Sequence, residues 1–217
     1  MVRVKPFILP ISVVFLALCS PSLVVSQDHF VEQPATAELL EAVREGGFVL
    51  YLRHGATDSA QPDQVPIDLD DCATQRPLTD AGRAEIAWVG EQIRQAALPL
   101  GEIFASPLCR AVESAQLAFG DQVTVERDLM YTAHLTTEEK RPVVAMTASL
   151  LQRPVEPGSN RVVVAHAPNL ADLIGYFPAV EGTLVIFRPL GDGFDYQASI
   201  QPAQWPELLE TLPPIAP

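Results

Sequence analysis

The chain has 217 residues, 48% of them hydrophobic, and carries 27 acidic against 14 basic side chains for a formal net charge of -13. Negative charge on this scale argues against nucleic acid and anionic membrane surfaces as partners, since both repel it. The length suffices for one α/β domain with a full core, and no Gly/Ser linker or internal repeat divides it.

Arg3 and Lys5 precede a mainly apolar stretch running to about Leu18, the pattern of a secretory signal peptide. The stretch falls short of the ~20 residues that a spanning helix needs, and Pro6, Pro10 and Pro21 interrupt it. Cleavage after Ser26 would leave residues 27–217 as a single secreted or periplasmic domain without a stable membrane anchor. Loss of Arg3 and Lys5 takes the charge from -13 to -15. Bulky Leu18 before Cys19 disfavours lipidation there.

A helix is expected over 37–45, stopped by Gly46-Gly47. The alternating run Phe48-Val49-Leu50-Tyr51-Leu52 then predicts a buried strand that delivers the chain onto Arg53-His54-Gly55-Ala56-Thr57. The segment 58–76 carries Asp63, Asp68, Asp70 and Asp71 and reads as a solvated loop near the pocket; Arg76, next to the Leu78-Thr79 helix entry, is expected in a surface salt bridge, with contact to a substrate as the alternative. Thr79 caps a helix over 79–97, with Ala84, Trp88 and Ile93 expected to face the core. Residues 102–105 form a short strand ending in Ser106-Pro107-Leu108-Cys109-Arg110. Ser106 is a suitable N-cap for the following helix, Pro107 a suitable first helical residue, and Arg110 lies in the first turn.

A strand at 123–126 and a helix at 136–152 follow. Arg161-Val162-Val163-Val164-Ala165 predicts a further strand, leading into His166-Ala167-Pro168-Asn169 and a helix from Leu170. Strands at 183–188 and 194–200, joined through Pro189-Leu190-Gly191-Asp192-Gly193, read as a hairpin. Trp205, Leu208, Leu209 and Leu212 mark a last anchoring helix. Such alternation predicts a three-layer α/β sandwich, with a mostly parallel central sheet, an antiparallel edge and helices on both faces.

Three of these strands end in polar residues suited to phosphate. Arg offers a permanently charged planar fork, and a neutral imidazole nitrogen is a nucleophile. Arg53-His54-Gly55, Ser106-Pro107-Leu108-Cys109-Arg110 and His166, in that order, resemble the histidine phosphatase superfamily, also called the phosphoglycerate mutase-like fold. Pro77-Leu78-Thr79-Asp80-Ala81-Gly82 is similar to that family's helix entry after the first loop. The resemblance implies that His54 is the nucleophile that becomes phosphorylated and that Arg53, Arg110 and His166 bind the phosphoryl group.

A departing alkoxide needs a proton, and where relatives often show Leu-x-Glu this chain has Leu129-Met130-Tyr131. Glu181, just before the strand at 183–188, is the favoured donor, with Asp58 as the alternative. His166 is followed by Ala167, and Thr57 stands where the acid phosphatase and phytase branch has a second Arg, which disfavours a phytase role. Among exported relatives the lipopolysaccharide heptose phosphatases match in compartment. No cofactor is expected: the aspartates lack EF-hand spacing, and His29, His54, His134 and His166 lack zinc spacing.

The sequence thus predicts a metal-independent exported phosphomonoesterase acting on a small phosphorylated molecule or glycan. The alternative is a catalytically silent phosphate-binding protein of the same fold. Cys72 and Cys109, the cysteines remaining after Cys19 is removed, are expected to pair. Oligomeric state is left open.

Overall fold

The computed structural model describes residues 30–214, so the expected signal peptide, 1–26, lies outside the described residues. Helix α1, Ala37–Arg44, is capped by the Thr36 side chain and leads to strand β1, Val49–Arg53. Helix α2, Asp80–Gln95, is capped by Thr79, and β2, Leu100–Ala105, follows it. Helix α3, Cys109–Phe119, precedes β3, Thr124–Val125, which is shorter than the four residues expected. Helix α4, Thr137–Gln152, begins with a capping box in which Thr136 and Glu139 satisfy each other's backbone donors. Then come β4, Asn160–Ala165, α5, Ala167–Ile174, the hairpin β5, Leu184–Pro189, with β6, Phe194–Ile200, and α6, Trp205–Thr211.

The six strands form one sheet in the order β3-β2-β4-β1-β5-β6. β1, β2, β3 and β4 are mutually parallel, while β5 runs antiparallel to both β1 and β6. Side chains alternate across a strand, so each face builds its own core. Leu50, Leu52, Val162 and Val164 pack with residues of α1, α2, α3 and α6. Val49, Tyr51, Val163 and Ala165 pack on the other face with Leu150 and Leu151 of α4 and Leu170 of α5. The expected three-layer arrangement is present.

One expectation is corrected. Ile93 is buried, but Ala84 and Trp88 are exposed. The buried stripe of α2 is Gly82, Ile86, Val89, Gly90 and Ile93. Those positions recur at three- and four-residue intervals, whereas 84 and 88 fall on the opposite side of a 3.6-residue turn.

This topology positions the site. The carboxyl ends of the adjacent parallel strands β1, β2 and β4 open onto His54, Ser106 and His166, the edge where open α/β sheets bind ligands.

Candidate active site

The turn after β1 is fixed from several sides. His54 N–H donates to Ala165 O at 3.1 Å, and Gly182 N–H donates to His54 O at 3.2 Å. Gly55 N–H donates to Ser114 Oγ at 3.1 Å, and that hydroxyl donates to Arg110 O at 2.6 Å. A Cβ on Gly55 would lie 2.6 Å from Ile86 Cγ1 and 2.8 Å from Gly82 O, so only glycine lets the turn rest on the first turns of α2.

His54 is 2% exposed, and its Nδ1 sits 2.8 Å from Gly55 O. A carbonyl oxygen only accepts, so the neutral imidazole carries its proton on Nδ1 and keeps the lone pair on Nε2. Burial, and then the charge of Arg110, lower its pKa to about 3. The ring is therefore neutral at physiological pH. The His166 ring stands 5.1 Å away, centroid to centroid. Burial, followed by His54 and Arg110, holds its pKa well below the ordinary histidine value.

Second contacts orient His166. The Tyr51 hydroxyl donates to His166 O at 2.8 Å and accepts from His166 N–H at 3.1 Å. Ser106 Oγ lies 2.7 Å from His166 Nε2 and accepts from Leu108 N–H at 3.4 Å. With the Ser106 hydroxyl donating, the His166 proton resides on Nδ1, which is buried and has no partner. Ser106 is thus not the cap of α3. That helix begins at Cys109, its N-cap is Leu108, and no side chain caps it.

Three guanidinium groups converge here. Arg110, in the first turn of α3, is fully buried, and its Nε and Nη2 have no partner. Its Nη1 donates to Asp63 Oδ1 at 2.8 Å. Arg53 gives Nη1 to Pro178 O at 2.7 Å and Ala179 O at 2.6 Å, while its Nη2 pairs with Glu181 at 3.3 Å. Its Nε is left buried and bare, as is Nε of Arg76. A cluster of desolvated donors without acceptors is costly unless an anion completes it. The first turn of a helix adds its own preference for negative charge.

Arg76 and Asp63 belong to the segment expected to be solvated, and both expectations are corrected. The Asp63 side chain is 3% exposed and also accepts from Arg76 N–H at 2.8 Å. Burial pushes its pKa up, but the Arg76 N–H and the Arg110 charge outweigh that and hold it below the usual carboxylate range. Among the described ion pairs none involves Arg76, whose charge instead acts on His54, His166, Arg53 and Arg110. The loop is bound to α3 by the Cys72–Cys109 disulfide, as expected, and by buried Gln75, whose Oε1 accepts from Cys109 N–H at 2.9 Å.

The two carboxylates proposed as donors sit differently. Glu181 Oε1 accepts from Thr57 Oγ1 and lies against Arg53 Nη2, both at 3.3 Å. Asp58 turns to its own loop, where the Gln61 side chain and Ala60 N–H hold its pKa below the usual value. A third carboxyl, Glu85 of α2, is raised by burial and by the nearby charge of Glu181. Tyr131 packs its ring 5.1 Å from the Arg110 guanidinium and 5.3 Å from the His166 ring.

A larger cavity of about 500 Å³, walled by Leu69, Pro77, Pro107 and Val112, shares Arg76 and Arg110 with this pocket but touches neither histidine. The unpartnered donors, not the larger volume, mark the chemical centre.

Residues 49–149 match the family model described as the histidine phosphatase superfamily (branch 1). Over this stretch the sequence is that of the histidine phosphatase superfamily. The match takes in His54 and Arg110 and ends before His166 and Glu181. The protein histidine phosphatase SixA, solved with tungstate, aligns at 15% identity over 72% of this chain and 98% of its own, with a TM-score of 0.50. The mycobacterial glucosyl-3-phosphoglycerate phosphatase, solved with VO3, aligns at 18% identity over 70% and 98%, again with a TM-score of 0.50. The ecdysone phosphate phosphatase from Bombix mori, solved with tungstate, aligns at 18% identity over 78% and 95%, at the same score. At such identities these likenesses establish the histidine phosphatase fold. No curated protein matches the chain.

Sequence reasoning missed the pocket roles of Asp63 and Tyr51 and kept that of Arg76 only as an alternative to a surface salt bridge. Arg76 directly precedes the Pro77-Leu78-Thr79 helix entry, a usable signal, whereas nothing local distinguishes Asp63 from its acidic neighbours.

Proposed function

We propose that this histidine phosphatase is a phosphomonoesterase that works through a phosphohistidine on His54. The observation that carries the reading is the Nδ1–Gly55 contact, which leaves Nε2 with its lone pair beside the unpartnered donors of Arg53, Arg76, Arg110 and His166. Nε2 attacks phosphorus as the bond to the leaving oxygen breaks. Glu181 supplies the proton to that oxygen. Water then displaces His54 from phosphorus, giving a proton back to Glu181 and releasing phosphate. The arginines and His166 hold the phosphoryl oxygens throughout, and such positioning and charge stabilisation constitute most of phosphoryl-transfer catalysis. In this scheme the guanidinium groups take the place of a metal.

Residues 1–26 serve in this proposal as a cleaved signal, and the Cys72–Cys109 bond is compatible with an oxidising compartment. The lipopolysaccharide heptose phosphatases match in compartment, and the substrate class in this reading is a small phosphorylated molecule or glycan. Rapid quenching during turnover of p-nitrophenyl phosphate in EDTA should trap an acid-labile, base-stable phosphate on His54, and none in His54→Asn. Phosphate binding without any adduct or turnover would instead establish a silent binding protein.

A further inference from the structure

The mouth of the phosphate pocket is a second recognition feature. A cavity of about 110 Å³ is lined by Ser59, Pro62, Asp63, Arg76, Tyr131 and His134. Asp63 and Arg76 connect it to Arg110 and the two histidines. Tyr131 borders both regions: its ring lies beside Arg110 and His166, and the His134 ring meets it edge-on, 5.0 Å away at 90°. Tyr131 is half-buried, while His134, in the short turn Thr132–His134, is exposed. Their arrangement places two aromatic rings beside the cations of the pocket.

We propose that this mouth is a subsite for a single aromatic ring attached to the phosphate, so that the preferred substrates are aryl or arylmethyl phosphomonoesters. The inference rests on the phosphatase reading of the pocket. The mouth encloses about 110 Å³, less than the roughly 150 Å³ of an apolar cavity that takes up benzene, so a ring seated there lies partly outside it, against the exposed His134. Offset or edge-on contact with Tyr131 and His134 suits a planar ring, and Arg76 presents a cation at the same wall.

The test uses non-hydrolysable phosphonates, which separate recognition from turnover. Calorimetry on the full disulfide-bonded chain should show phenylphosphonate binding roughly 3- to 10-fold more tightly than methylphosphonate, the worth of one or two aromatic contacts. Tyr131→Leu and His134→Ala should each bring that ratio towards one, while Tyr131→Phe, which keeps the ring, preserves it. Because the ratio is internal to each variant, a general loss of anion affinity from disturbing Arg110 does not mimic the effect. Equal binding of the two phosphonates by the unaltered protein would overturn the ring subsite and leave the phosphatase reading standing. Failure to bind either would overturn the phosphate pocket itself, and the subsite with it.

Discussion

At the scale of single residues the site works by withholding protons. The fold lowers His54 to about 3, against an unfolded value near 6.5. Its neutral form is what folding favours, so the associated stability is fully present above pH 6.5 and declines as pH falls from there towards the folded value. Urea unfolding between pH 7 and 4 should show stability dropping with acidity, and His54→Asn should flatten part of that slope. An unchanged slope would mean that His54 is not held neutral. In the proposed mechanism Glu181 is the proton donor to the leaving group. Glu181→Gln should lower kcat on an alkyl phosphate by about 10² to 10⁴, the usual worth of a general acid, and by much less on p-nitrophenyl phosphate. Equal small losses would move the role to Glu85, whose carboxyl burial and Glu181 hold above its ordinary value.

At the scale of elements, His54 is placed by the meeting of the β1 turn with α2. A Cβ on Gly82 would come within 2.8 Å of Ala56 N and closer still to Ala56 O. Neither backbone atom can move without moving the turn that holds His54. Gly82→Ala should therefore destabilise the domain by roughly 1 to 3 kcal/mol, in the range of overpacking, and depress kcat more than phosphate affinity. Chemical denaturation and a kcat measurement on one variant check both. The strand ends were legible in the sequence because apolar runs stop abruptly at Arg53-His54-Gly55, Ser106-Pro107 and His166-Ala167-Pro168, and the local punctuation survives into the fold. The inner face of α2 was misjudged because Ala84 and Trp88 were chosen by apolar type, whereas helical phase selects Gly82, Ile86 and Val89. Ser106 was read as a cap from local spacing, yet its hydroxyl answers a histidine sixty positions away. Asp63 escaped for the same reason: its burial is created by contact with Arg110 of α3, which an acidic, proline-containing segment does not advertise.

At the scale of the whole molecule, a chain with net charge -13 must bind an anion, and the Cys72–Cys109 bond is central to how it does so. The bond joins positions 37 apart, and its second cysteine directly precedes Arg110. Bond and loop together bring Arg76 inward and place Asp63 against Arg110. Local cations dominate at this range because salt screens the exposed acidic surface beyond about 8 to 10 Å. In the chain-entropy picture the cross-link stabilises the fold by roughly 4 kcal/mol, a large share of the ~5 to 15 kcal/mol typical of a domain. Its loss should act on binding as well as on stability. The reduced protein, or the double variant Cys72→Ser with Cys109→Ser, should melt at lower temperature and bind methylphosphonate at least several-fold more weakly, with Arg76 no longer held at the pocket. Adding Arg76→Ala should then cost little further affinity in the reduced protein but much more in the oxidised one. If Arg76→Ala weakened binding equally in both states, the bond would stabilise the fold without shaping the pocket.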